Sequence, residues 1–306
     1  MSLAVYLPIL LTAAFGLAAP TLGRRLPPGL ATWLLSGGGL LAAAGSSASV
    51  ALLAFPLIAQ THVLAARGRW SDTVLRHHDP AGTPVGVVAI VALLILAIRS
   101  LRAIARRVAA VREAYQLAGS LPDIGGELAV LDIAEPHAFA VPGRPGRIVV
   151  TTGLLRSLDP AQRRALLTHE RAHLNHRHHI HQSVAHLATA VNPLLYRLPA
   201  AVDLSCERWA DEDAARMCRR DTVADALTRA AIGTRRTGPS AVLAAAAAEV
   251  ADRVGALRGP APRLTLWRVA LLIGLLAATA AAVAVAMHDT EQLFELAQSA
   301  YRTGHR

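Results

Sequence analysis

Four long apolar stretches alternate with charged ones along the chain. The first runs from Leu3 to Ala19 without a charge and ends at Pro20. The second, about Leu30 to Ala59, is also charge-free and holds the glycines Gly37, Gly38 and Gly39. The third, Val85 to Ile98, is only 14 residues, roughly 21 Å of helix against a hydrocarbon core of about 30 Å. Arg99 and Arg102 beyond it can snorkel, and the helix can continue through Ile104, so it too reads as a span. The fourth, Leu264 to Met287, carries one charge, Arg268, near its start. Each stretch predicts a membrane-crossing helix. The first is unlike a signal peptide, because Arg24 and Arg25 follow it instead of preceding it.

The pattern changes between the third and fourth stretches. Leu101 to Ala118 keeps helical apolar spacing with arginines on the other face, predicting a cytoplasmic extension of the third span. From Gly126 the runs are short and β-like: Leu128 to Ile133, Ala138 to Val141, a turn at Pro142-Gly143, then Arg147 to Thr152. These predict a sheet of about three strands. Asp159-Pro160 is an N-cap followed by proline at the first helical position, opening a helix through roughly Gln182. A second helix is expected from Ala200 to Arg219, after Asn192-Pro193, and another over Ala241 to Ala248. Ala185 to Ala201 is apolar but broken by Pro193 and Pro199, which suits a re-entrant segment. The fold class is therefore a mainly α integral membrane protein with about four transmembrane helices. A cytoplasmic α+β domain, a small sheet plus active-site helices, is inserted between the third and fourth. Residues 1–98 hold three spans, 99–263 the domain, and 264–306 the last span and a short outside tail.

Composition narrows the function. Of 306 residues 53% are hydrophobic and only 17% charged, against about a quarter in soluble domains. The net charge is +10, and all 31 basic residues are arginine. Without lysine there is no P-loop, Ser-Lys dyad or Schiff base. The arginine and alanine bias fits a GC-rich, bacterial coding sequence. The arginines are scattered and aromatics are 4%, which argues against direct nucleic-acid binding. Two cysteines, Cys206 and Cys218, form no disulfide framework and suit a reducing compartment. Arginines crowd both flanks of the central segment, Arg99 to Arg112 and Arg253 to Arg268, so the positive-inside rule puts that segment in the cytoplasm of a multi-pass cell-membrane protein. Both termini, and the loop with Arg67, Arg69 and Arg76, then lie outside.

The chemistry sits on the capped helix. His169-Glu170-Arg171-Ala172-His173 is an H-E-x-x-H, whose two histidines share a helix face one turn apart and can converge on one zinc ion. Glu170 lies beside them as a general base. Glu207, in Cys206-Glu207-Arg208-Trp209-Ala210-Asp211, is the natural third ligand, and Asp211 one turn on can orient a ligand histidine. The surrounding stretch is rich in histidine, so a chance H-E-x-x-H is less improbable here than elsewhere. Taken alone, Glu207 and Asp211 read as solvated helix charges. His176 is a rival ligand, but it lies seven residues from His169, about 10.5 Å along the axis. His178, His179, His181 and His186 read as interfacial or surface residues, and Cys206 as a small buried thiol.

His169 to His173, Asn192-Pro193-Leu194 and Glu207 to Asp211, set between spans, resemble the BlaR/MecR-type membrane metallopeptidases, and more distantly HtpX and the CAAX prenyl proteases. The resemblance covers roughly residues 85–290 and includes Phe139-Ala140-Val141 and Arg147 to Leu155. It implies a gluzincin with one Zn2+ held by His169, His173 and Glu207, Glu170 as base and Asp211 behind a ligand. It also implies a protein or peptide substrate, such as a transcriptional repressor, and a role in signal transduction. The sensors of that family carry an extracellular penicillin-binding domain after the last span. Only a short tail is expected here, and a Ser-x-x-Lys cannot occur without lysine, so acylation of this chain by a β-lactam is excluded.

Overall fold

A computed structural model describes residues 3–77, 82–120, 126–234, 240–260 and 263–304. After a short 3-10 turn at Leu3–Tyr6 come α1 (Leu7–Arg25) and α2 (Pro28–Ala59), joined at Leu26 and Pro27. Two short helices, α3 (His62–Gly68) and α4 (Asp72–His77), lead to α5 (Gly82–Ser120). The expected stop at Pro20 is not observed: α1 passes through it to Arg25, as helices among apolar neighbours can. The third stretch and its predicted extension are one continuous helix, α5.

The sheet follows, with β1 (Leu128–Leu131), β2 (Ala138–Val141) and β3 (Arg147–Thr151). Its order is β1-β3-β2, with β1 parallel and β2 antiparallel to β3. The central strand β3 is buried throughout, and one side of β2 is left as an edge. Next come α6 (Thr152–Ser157), α7 (Pro160–Asn175), α8 (His178–Val191), a 3-10 turn at Pro193–Leu195, α9 (Leu198–Met217), α10 (Arg220–Thr234) and α11 (Ser240–Arg258). The last helix, α12, runs from Leu266 to Gly304.

The predicted start of α7 is present in full. Asp159 Oδ1 accepts from the amides of Ala161 (2.8 Å) and Gln162 (2.9 Å), and Gln162 Oε1 accepts from the Asp159 amide at 3.1 Å. The predicted end at Gln182 is wrong. The helix stops at Asn175 because Arg177 adopts the left-handed conformation, φ 51°, and α8 begins afresh at His178. Such a cap is usually built on glycine, so an arginine there left no sign in the sequence. The expected short tail also differs: it continues α12 and packs its far end on α4. Ala297 and Leu75 are buried there, and the Trp70 and Phe294 rings meet edge-on at 5.2 Å.

Among the described residues four helices are long and apolar enough to cross a membrane: Ala4–Arg25, Pro28–Ala59, Gly82–Ser120 and Leu266–Thr303. The helices after the sheet do not stand clear of them. Phe15 and Ala19 of α1, Leu35, Ala42 and Ala43 of α2, and Leu272 of α12 share one core with Ala185, Ala188, Leu195, Leu198, Val202 and Cys206. Polar ties cross the same junction. Ser36 Oγ meets His181 Nδ1 at 2.9 Å, and Asn192 Nδ2 donates to Ser46 Oγ at 2.5 Å. His181, expected at an interface or surface, is buried between α8 and α2 by these contacts. The core thus runs through the expected boundaries at residues 98 and 263, and the broken segment 185–201 is seated among α1 and α2.

Candidate metal centre

The α7 helix presents His169 and His173 on one face, and α9 brings Glu207 opposite them. The two Nε2 atoms are 3.2 Å apart. Glu207 Oε2 lies 3.5 Å from His169 Nε2, and Oε1 lies 3.5 Å from His173 Nε2. Zinc–nitrogen bonds of 2.0–2.1 Å at tetrahedral angles place neighbouring donors about 3.3 Å apart. Two imidazoles and a carboxylate at these separations fit that ion, and three protein ligands are the donor number of a catalytic site. His169, His173 and Glu207 are the one group among the described residues with three donors close enough to hold a metal.

Glu170 is buried next to this cluster, between α7 and β2, and its carboxylate accepts a hydrogen bond from the Ala140 backbone. Burial raises its pKa, and the Glu207 charge pushes the same way against His169 and Arg253. Asp211 Oδ1 lies 3.0 Å from His169 Nδ1. That contact fixes the ring so that Nε2 faces Glu207. Burial pulls His169 down, but Asp211 and Glu207 outweigh it and lift its pKa to about 10. Burial pushes His173 down to about 4, against the pull of Glu207. Glu207 stays ionised well below the usual carboxylate range: burial opposes this, and the Arg253 charge and His169 overcome it.

Two residues at the centre were not singled out for it by the sequence. Arg253, on α11, grips Asp211 with Nε and Nη2, both at 2.8 Å, and reaches Glu207 Oε2 with Nη1 at 2.8 Å. In the sequence it served only as one of many arginines marking a membrane face, since nothing local ties it to residues more than 40 positions away. His178 is buried with its Nδ1 3.0 Å from His173 Nδ1, and burial pushes its pKa down to about 3. Its expected place at an interface or surface is therefore corrected: the break at Arg177 turns it inward under His173. His176, the rival ligand, is engaged elsewhere. Its Nε2 is 2.6 Å from Asp213 Oδ2, and its ring stacks on Trp209 with centroids 4.0 Å apart. Cys206 is buried in the shared core, and its thiol pKa is raised by burial to about 12.

Two cavities open beside the centre. One of about 380 Å³ is walled by Ala165, Leu166, Val223, Leu227 and Val250 and reaches His169, Glu170, Glu207 and Arg253. The other, about 310 Å³, lies against Phe139, Ala140, His179 and Gln182 and reaches His169, Glu170, His173 and Glu207. Ala138 of β2 lines both, so the edge strand borders a continuous approach to the cluster.

Residues 99–204 match the model of Peptidase family M48, a family of zinc-dependent metallopeptidases. The matched stretch takes in the sheet, His169, Glu170 and His173, and stops three residues before Glu207. No curated protein and no solved structure matches the chain.

Proposed function

We infer that the chain is a membrane-embedded zinc endopeptidase that hydrolyses a peptide bond of a cytoplasmic or membrane-proximal protein. The observation that carries this reading is the convergence of His169, His173 and Glu207, with Glu170 alongside. His169, His173 and Glu207 would hold one zinc ion, with Asp211 orienting His169 and Glu170 as the catalytic residue. A bound zinc supplies an acidified water, with a pKa near 7, and polarises the scissile carbonyl.

The rest of the chemistry belongs to the chain. Glu170, with a pKa raised by its burial, takes the proton of the attacking water and returns it to the leaving amine. Paired with β3 on one side, β2 turns the backbone groups of Ala138 and Ala140 towards the open edge, by the alternation of an antiparallel ladder; the Ala140 amide meets Glu170, and the Ala138 groups and the Ala140 carbonyl face a substrate. An extended substrate adds there as a further strand, which lays its backbone across the cluster. The apolar cavity beside Leu166 and Val223 then takes a hydrophobic side chain next to the cleaved bond.

The arginines flanking the central segment support a cytoplasmic orientation in the cell membrane, with the segment Ala185 to Ala201 dipping into the bilayer. The resemblance to BlaR/MecR-type peptidases supports a regulatory cleavage, such as that of a transcriptional repressor. The test is proteomic comparison of cells carrying wild type and Glu170→Gln, alongside zinc content of both purified proteins. The expected result is equal zinc in both and a fragment formed only with wild type. Unchanged proteolysis in Glu170→Gln would remove the base, and zinc bound without any cleavage by wild type would leave a metal-binding receptor.

A further inference from the structure

A further cavity, lined by arginines, lies along α8 beyond the metal centre. It measures about 420 Å³ and is formed where α5 crosses α8. Arg99, Arg106 and Arg107 line it from α5, over a floor that includes Ala103, and Ser183 and His186 line it from α8. Among the described residues no carboxylate lines this cavity; Asp203, on α9, acts on His186 and Arg107 only through its charge. Arg107 is held in place, its Nε donating to Ser183 Oγ at 2.6 Å and Nη2 to the His179 carbonyl at 2.8 Å. Arg99 Nε donates to the Ala190 carbonyl at 3.4 Å. A guanidinium has five N–H donors, so these bonds leave donors of both arginines for a ligand.

The position of the cavity along α5 selects the ligand. Arg99 is the first charge after the apolar run Val85–Ile98, and Arg107 is eight residues further. That rise is about 12 Å, which brackets the depth of a headgroup layer next to the hydrocarbon core. One turn before Arg99, on the same helix face, Ile95 is exposed, and Ile98 and Leu101 are exposed beside it. Arginines at this depth need an anionic counter-charge, and the neighbouring apolar stripe offers a surface to an acyl chain.

We propose that the groove between α5 and α8 is a binding site for the phosphate headgroup of an anionic phospholipid, held by Arg99, Arg106 and Arg107 with Ser183 and His186. The proposal rests on the bilayer placement of α5 and is independent of peptidase activity. The occupant lies on the same face of α8 as His179, but further along the helix towards Ala190, whereas His179 and Gln182 line the cavity at the metal centre.

The experiment uses the full chain in nanodiscs of phosphatidylcholine with 10% phosphatidylglycerol, and counts the phosphatidylglycerol retained per protein after extraction into detergent. Wild type is compared with Arg99→Gln/Arg106→Gln, which leaves Arg107 and its bonds to α8 in place, and with Arg67→Gln/Arg69→Gln as a charge-matched control. The expected result is a fall of fivefold or more in retained lipid for the groove variant alone, with its zinc content equal to wild type. Equal retention in all three proteins overturns the site. Displacement of the lipid by millimolar inorganic phosphate or glycerol phosphate overturns the lipid assignment in favour of a free phosphate. Failure of all three to enter nanodiscs overturns the bilayer placement itself, and zinc content reports separately on the metal centre.

Discussion

Arg253 Nη1 and Glu207 Oε2 are joined at 2.8 Å, so the side chain opposite the two histidines is held from behind by a buried cation on α11. The same guanidinium spans both oxygens of Asp211. One residue therefore positions the third donor and the group that orients His169. Replacing it with methionine strands the buried Asp211 and the largely buried Glu207 without their cation. Removal of one partner from such a buried pair costs about 3 kcal/mol or more. Arg253→Met is expected to lower the thermal midpoint clearly and weaken zinc binding about tenfold or more. Arg253→Lys should rescue only part, because an ammonium cannot span both oxygens. Calorimetric unfolding and chelator competition read the two effects, and wild-type values in both would contradict this role.

The metal-free centre also sets a pH dependence. His169 is raised to about 10 by its carboxylate neighbours and stays protonated at neutral pH, whereas a zinc-ligating imidazole must be neutral. Zinc uptake at pH 7.5 should therefore release about one proton per ion from His169. Titration calorimetry in buffers of different ionisation heat measures this, and no net release would contradict it. His173 and His178 are pushed the other way, to about 4 and about 3. Their neutral forms stabilise the fold above the unfolded histidine pKa of about 6.5. That contribution is lost as pH falls from there through 4 and towards 3. Chelator-treated protein should accordingly lose thermal stability between pH 6.5 and 4, and replacing His178 with glutamine should flatten that fall.

The candidate metal centre was readable in the sequence to the extent that its geometry is local. His169 and His173 are linked by helix periodicity, and Asp159-Pro160 announces the helix that carries them. Glu207 and Asp211 also share one helix, so their pairing was visible, and the need of a zinc site for a third ligand, together with the resemblance, tied that helix to the first. Arg253 and His178 show where this stops. Arg253 meets its partners through the packing of α11 on α9, which leaves no spacing rule. His178 reaches His173 through a left-handed arginine, a conformation that most arginines do not adopt. The apolar stretches were legible as helices long and apolar enough to cross a membrane, but hydropathy could not tell that Phe15 and Leu35 would share a core with Leu195 and Leu198.

That shared core makes the polar ties across it measurable. Ser36 Oγ, on α2, meets His181 Nδ1 at 2.9 Å, and both side chains are buried. Ser36→Ala leaves the imidazole without this partner in an apolar setting. The expected cost is about 1 kcal/mol, the usual net worth of one buried hydrogen bond. Unfolding of Ser36→Ala in mild detergent should show that loss with zinc content unchanged, because His181 lies outside the donor cluster. A variant as stable as wild type would mean that the α2–α8 contact rests on apolar packing alone.

The N-terminus of α7 provides the complementary separation of folding from metal binding. Asp159 accepts from two amides there, and Gln162 returns a bond to its backbone. Asp159→Ala removes the side-chain half of this box and should cost about 1 kcal/mol, whereas Asp159→Asn should cost much less. His169 lies ten residues beyond the cap, about 15 Å along the axis, and is braced by Asp211 from α9. Fraying of the first turn does not reach it. Asp159→Ala is therefore expected to unfold at lower temperature while binding zinc with wild-type affinity. Loss of affinity in step with stability would show instead that the ligand face depends on the whole length of the helix.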